Sequence, residues 1–466
     1  MHAKCIPNSA RLPRWRIHGI DTIVCLNSMH STAEPLWKIA LNPLNQTMKK
    51  FNRHYFSALT LATVAALAGC SVTANHTASD ANAAFSIAVI GDVPYGTSPS
   101  DTRQLTLHPQ FIAAINGDAD VGLVAHIGDI HAGKQYCTQE YNETISAQWS
   151  AFQRPLVYTP GDNEWMDCHK AKEGGGSFNK ATGNIDYVVD AKGNFVNYAK
   201  GDPLANLALV RSMFFAKPGQ TLGAPMAVTS QANDFHANHP TDSAFVENVR
   251  WEKSGVLFVT LNIPGGSNNG TDPWYGVPSM GPQQQKEVAD RTAATLRWID
   301  AAFHQATTKG HIAIVLLTQA DMWDVDEAAT GIAHLSGYKP YLDKIAEGTK
   351  AYGMPVLMIM GDSHTYRSDN PLVMGAPCIV EVEAGKSAVP CNDGRAQTMA
   401  AARKSPADAY MAQAHGYNIP NFHRIVVHGE TTPMEWLKLR IDPNANATHG
   451  LDAFGPFSWK RMAFTP

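Results

Sequence analysis

The sequence predicts an α/β fold in which mixed β-sheet is flanked by helices, and three observations predict it. Short apolar runs alternate with segments of helical periodicity from residue 85 to about residue 360. Four of those runs end in Gly-Asp: Ala88-Val-Ile-Gly-Asp92, Ala125-His-Ile-Gly-Asp129, Tyr158-Thr-Pro-Gly-Asp162 and Met358-Ile-Met-Gly-Asp362. Beyond residue 420 the pattern turns β-rich. Continuous apolar runs mark strands buried on both faces, so either one mixed sheet or two facing sheets with helices outside satisfies the pattern.

The chain's first 84 residues read as processing and tether segments. Residues 1–47 show no periodicity and are expected to be an upstream extension, with translation starting at Met48. From Met48 the chain runs Met-Lys-Lys-Phe-Asn-Arg-His, then an apolar stretch to Ala68, then Leu67-Ala-Gly-Cys70. A basic start, a short apolar core and a small-residue ending make a signal peptide, and Leu-Ala-Gly-Cys resembles a bacterial lipobox. The expectation is a lipidated Cys70 anchoring the protein to a membrane in the cell envelope, the outer membrane favoured by Ser71. Residues 71–84 are small and polar, a flexible tether.

The folded part is expected over 85–445, followed by a tail at 446–466. Strands are expected at Phe85–Ile90, Val121–Ile127, Pro155–Thr159, Gly255–Ile263, His311–Thr318 and Pro355–Met360. Runs at Arg424–His428 and Trp436–Ile441 read as antiparallel partners. Helical patterns lie at Gln110–Ile115, Glu140–Phe152, Leu204–Phe215, Gln283–Thr307 and Tyr341–Tyr352; the longest places Val288, Thr292, Leu296, Ile299 and Phe303 on one face. Residues near 166–245, with Glu173-Gly-Gly-Gly-Ser177, interrupt the rhythm as a loop-rich insertion over the site face, and Pro264–Gly270 reads as a second wall.

Composition narrows the function classes. The 466 residues are 44% hydrophobic, enough for a large core, and a net charge of −4 without any Lys/Arg run argues against a nucleic-acid-binding surface. Outside the first 70 residues the cysteines are Cys137, Cys168, Cys378 and Cys391. No short paired spacing marks a zinc site, so disulfides are expected, with proximity favouring Cys137–Cys168 and Cys378–Cys391.

A lone Gly-Asp is an ordinary turn dipeptide. The ordered set carries more: in an α/β fold the carboxyl ends of strands meet in one crevice, and four carboxylates gathered there call for a cation. Gly91-Asp-Val-Pro-Tyr95, Gly128-Asp-Ile-His131, Gly161-Asp-Asn-Glu164 and Gly361-Asp-Ser-His364 occur in that order. Together they resemble the calcineurin-like metallophosphoesterase superfamily over roughly residues 85–370. Its blocks are Asp-x-His, Gly-Asp-x-x-Asp, Gly-Asn-His-Glu/Asp, a strand-ending His and Gly-His-x-His.

The resemblance implies an αββα sandwich and metal-dependent hydrolysis of phosphoesters. It implies Asp92 and His364 on a first metal, Asp129 bridging two metals, and Asp162 on the second. Gln319, with Asp321 as its rival, and Asp362 fall on histidine ligand positions, and Asn163 on the histidine that contacts phosphate. Pro94 stands where the first block has its histidine. So oxygen-rich a set favours Mn²⁺ or Mg²⁺, with Fe²⁺ or Ca²⁺ as other candidates, over Zn²⁺. Because Asn163 cannot donate a proton as histidine does, His131 or Glu164 is the candidate general acid. Tyr95, Lys134 and Arg367 directly follow metal blocks and are candidate phosphate contacts. His126, inside an apolar run, reads as a core histidine.

The expected substrate is a phosphorylated small molecule or a phosphodiester. The alternative is a degenerate relative that binds metal or a phosphorylated ligand without turnover.

Overall fold

The computed structural model describes residues 83–324, 335–412, 416–445 and 450–466. The upstream extension, the signal peptide with Cys70 and tether residues 71–82 lie outside them. In chain order the strands are β1 (Phe85–Ile90), β2 (Val121–His126), β3 (Pro155–Tyr158), β4 (Gly176–Asn179), β5 (Asn184–Tyr187), β6 (Leu222–Gly223), β7 (Thr229–Ser230), β8 (Val249–Lys253) and β9 (Val256–Thr260). They continue with β10 (Ala313–Leu317), β11 (Val356–Met360), β12 (Arg367–Asp369), β13 (Ile379–Val380), β14 (Val389–Pro390), β15 (Phe422–Val426), β16 (Glu435–Ile441), β17 (Ala453–Phe454) and β18 (Phe457–Ala463).

Two large mixed sheets result. One has the order β17-β18-β16-β1-β2-β3-β6, the other β14-β13-β12-β15-β11-β10-β9-β8-β7. Side-chain alternation explains why they face each other. Ile87 and Val89 of β1 pack with Phe258 of β9 and Val315 of β10 in the layer between the sheets. Their neighbours Ala88 and Ile90 face outward against Phe111, Ile112 and Ile145, from helices Arg103–Gly117 and Gln139–Trp149. On the other side Val259, Ile314 and Met358 cover Ile299 and Phe303 of helix Pro282–Lys309 and Ile345 of helix Lys339–Tyr352. The layers run helix, sheet, sheet, helix. No described helix is long and apolar enough to cross a membrane.

Several expectations change. The Arg424–His428 run, β15, lies parallel to β11 (Met358↔Arg424) and antiparallel only to β12. The roughly sixty residues between β11 and β15 hold β12–β14 and helix Gly394–Arg403, long enough for the crossover that a parallel return needs. The expected tail contributes β18, which pairs with β16 from Glu435↔Ala463 to Ile441↔Phe457. The stretch 166–245 contains the hairpin β4–β5 and helix Pro203–Phe214, and it supplies edge strands β6 and β7 to the two sheets. The first helix starts at Arg103 and runs through Pro109. Proline removes the N–H that would bond the Leu105 carbonyl, and Gln148 Nε2 takes that acceptor at 3.2 Å. The disulfides Cys137–Cys168 and Cys378–Cys391 are both present.

Candidate metal centre

Each Gly-Asp follows a strand at its carboxyl end, and at three of the four the aspartate backbone is held in an uncommon conformation. Asp92, Asp129, Asp362 and His364 all have left-handed φ, of 55°, 57°, 68° and 61°. Such geometry in non-glycine residues persists only where the surroundings impose it. Here the turns are bound to each other. Asp92 N–H donates to Gly128 O at 3.1 Å and Asp362 N–H donates to Asp92 Oδ1 at 3.0 Å. The glycines permit the approach: a Cβ on Gly161 would lie 1.9 Å from Asp129 Oδ1, and one on Gly361 2.5 Å from Asp92 Oδ2.

Two groups of ligand atoms emerge. One oxygen each from Asp92 and Asp129 and a nitrogen of His364 lie within 4.8 Å of one another. One oxygen each from Asp129, Asp162 and Asp362 do the same. Asp129 belongs to both. The first sheet supplies Asp92, Asp129 and Asp162, after β1, β2 and β3; the second supplies Asp362 and His364, after β11.

The Asp92, Asp129 and His364 group fits a divalent cation, whereas the three carboxylates of the other group are bridged by the Gln319 amide. Asp92 Oδ2 is buried with no hydrogen-bond partner. Burial pushes the Asp92 and Asp162 carboxyls up to about 6. Burial and then repulsion from Asp162 hold Asp129 and Asp362 well above the usual carboxylate range. Burial lowers His364, but its bond to Glu430 and the nearby Asp92 outweigh that and raise it. Carboxylates in this state ionise together only against positive charge, and a set dominated by oxygen suits a hard divalent cation.

Polar side chains steady the carboxylates. Asp129 Oδ2 accepts from Tyr95 OH at 2.8 Å, from Asn163 Nδ2 at 3.1 Å and from Gln319 Nε2 at 3.2 Å. Gln319 Nε2 also reaches Asp162 Oδ1 at 2.8 Å and Asp362 Oδ1 at 3.1 Å. Its Oε1 accepts the Gly265 N–H at 2.7 Å, which fixes the amide orientation. Gln319 is therefore placed as a donor to three carboxylates and not, as the sequence implied, as an oxygen ligand. The Pro264–Gly270 segment meets the site through that Gly265 bond.

The other sequence candidates take the following places. His131 is fully buried, its Nδ1 3.2 Å from Ala132 O and its ring edge-on to Tyr141; burial lowers it to about 4. It is neutral at physiological pH and unsuited to general-acid work. Glu164 braces its own turn, accepting from Tyr158 OH and from Gly161 N–H. Arg367 donates to Ala407 O and lies 3.9 Å from Asp369, so its guanidinium is engaged on β12. Asp321 is held by Arg424 at 2.6 Å and by Ser363 Oγ at 2.9 Å, which ends its rivalry with Gln319. Lys134 stands exposed at the rim, 3.3 Å from Glu430. His126 Nε2 meets Val93 O inside the core.

Sequence reasoning passed over Glu430 and the His428–Glu381 pair. Glu430 Oε2 lies 3.1 Å from His364 Nδ1, and His428 Nδ1 lies 2.7 Å from Glu381 Oε2. A signal for Glu430 existed, since Gly429-Glu430 follows a strand just as the four Gly-Asp pairs do. Beside His364 opens a cleft of about 300 Å³, lined by Thr365, Glu383, Arg403, His428, Glu430 and Thr431 among others. A further trio, Asp167, His169 and Asp272, is already bridged by Lys170, whose ammonium is 2.6 Å from Asp167 and 3.0 Å from Asp272.

No family model and no curated protein matches the chain. Among solved structures it is similar to a purple acid phosphatase from yellow lupin (Lupinus luteus) seeds, at 13% identity and a TM-score of 0.34. That match covers 82% of this chain and 52% of the other, so the chain spans about half the length of that structure.

Proposed function

We propose that this chain is a metal-dependent phosphoester hydrolase of the metallophosphoesterase type, carried in the cell envelope on a lipidated Cys70. The observation that carries the reading is Asp129, common to two ligand groups drawn from both sheets. Divalent ions at these positions supply Lewis acidity toward a phosphoryl group and lower the pKa of water. The chain's own residues do the rest. Tyr95, Asn163 and Gln319 hold Asp129 in place. Lys134 brings a cation to the rim for a phosphate oxygen, and the cleft beside His364 takes the leaving group. With His131 neutral and Glu164 committed to its turn, substrates with good leaving groups are favoured.

The test is metal analysis of protein purified without chelator, then hydrolysis of an aryl phosphate and an aryl phosphodiester with added Mn²⁺ or Mg²⁺. Asp129→Asn should abolish turnover of both; full activity in that variant overturns the reading.

One observation favours the non-catalytic alternative. Asn163 is bound to Tyr95 and Asp129, so no side chain at that position is poised to protonate a leaving group. That reading expects a stoichiometric cation and phosphate binding without turnover.

A further inference from the structure

The ligand groups straddle two sheets, and something must keep the halves in register. We propose that Glu430 is the positioning residue that does so, orienting His364 toward the cation while tying it to the Asp92 turn. The inference rests on the cation-binding reading above.

Glu430 lies between β15 and β16, where the chain crosses from the nine-stranded sheet to the seven-stranded one. Its backbone is joined to the first sheet's turns. Its N–H donates to Asp92 O at 2.9 Å, and its carbonyl accepts from Gln104 Nε2 at 2.7 Å. The same Gln104 accepts the Tyr95 N–H at 2.7 Å. Its neighbour Gly429 donates from N–H to His364 O at 3.0 Å, joining the second sheet's turn. Glu430 itself has a left-handed φ of 60°, shared with the aspartates it serves.

The side chain completes the link. Glu430 Oε2 is 3.1 Å from His364 Nδ1, and a carboxylate can only accept, so Nδ1 carries the proton. That leaves Nε2, 3.5 Å from Asp92 Oδ1, with its lone pair for a cation. Lys134 Nζ holds the other oxygen at 3.3 Å, keeping the carboxylate on the far side of the imidazole. A carboxylate behind a ligating histidine fixes its tautomer and raises its basicity.

The experiment measures Mn²⁺ affinity by equilibrium dialysis and the His364 tautomer by ¹⁵N NMR of metal-free protein, at a pH high enough that the imidazole is neutral, with His364→Gln assigning the resonance. Glu430→Ala should bind Mn²⁺ about 10–100-fold more weakly and show a mixture of His364 tautomers. Glu430→Gln, which keeps an acceptor oxygen, should recover the tautomer and part of the affinity. Should Glu430→Ala fail to fold, Glu430→Asp carries the test, because it keeps the charge but shortens the reach; loss of the tautomer is expected. Wild-type affinity and an unchanged tautomer in Glu430→Ala or Glu430→Asp overturn the inference alone. Wild-type protein that binds no divalent cation overturns it together with the proposed function.

Discussion

Replacing Asp92 by asparagine should make the cation-free protein more stable while removing its response to metal. Asp92 is fully buried, and burial carries its carboxyl from 3.8 to about 6. A carboxyl raised in the folded state binds its proton more tightly there than in the unfolded chain. The penalty is therefore absent below about pH 4, grows between about pH 4 and 6, and is complete above. At about 1.4 kcal/mol per pH unit it amounts to on the order of 3 kcal/mol at neutral pH. An amide of the same shape keeps the acceptor for Asp362 N–H and carries no charge. With an unfolding entropy of roughly 2.1 cal/mol/K per residue, the gain corresponds to a Tm rise of about 4 °C. Differential scanning calorimetry in EDTA at about pH 7.5 and about pH 4 reads it. Mn²⁺ at about 100 times its Kd should then add about 2.7 kcal/mol to the wild type and little to Asp92→Asn. A variant no more stable than wild type in EDTA at the higher pH, or one with an equal Mn²⁺ response, would refute the electrostatic account.

Because Asp92 and Asp162 are both held up to about 6, protons should displace the cation in acid. Mn²⁺ occupancy by equilibrium dialysis should fall as pH drops from about 7.5 to about 5, and a flat profile contradicts this. Gly161→Ala would place a Cβ 1.9 Å from Asp129 Oδ1, forcing the turn apart. The expected cost is about 1–3 kcal/mol in urea unfolding, with Mn²⁺ affinity reduced; wild-type values for both would count against the packing. Replacing Cys137 and Cys168 by serine opens a crosslink spanning 31 residues next to the Asn163 carbonyl. A loss of about 3–4 kcal/mol in unfolding free energy is expected, and an unchanged denaturation midpoint would show that the bridge adds nothing.

Much of the architecture was legible because strands buried on both faces must be apolar throughout. β9, β10 and β11 read as Val-Leu-Phe-Val-Thr, Ala-Ile-Val-Leu-Leu and Val-Leu-Met-Ile-Met, with no polar face to confuse the pattern. Strands with an exposed face were harder. In Val249-Arg-Trp-Glu-Lys253 the charges mask the alternation, although Ser254-Gly255, with φ of 52° and 73°, is a two-residue hairpin turn. In β18 only Phe457 and Trp459 announce the buried side. The convergence of the four aspartates followed from their common place after strands. The orientation of Gln319 did not, because a Gly265 N–H 54 residues away decides it. Nor did the engagement of Arg367 and Arg424, which their sequence neighbours leave open and tertiary partners settle.

Neither sheet by itself completes either ligand group. A chain that has built only β1 to β3 displays three acids along one rim with nothing opposite, and β11 alone offers one acid and one imidazole. A cation held by either group would therefore need both sheets in place. An ion bound there would work as a rivet across the seam, so stripping it should loosen the sandwich there first, detectable as faster amide exchange at the turns on either side.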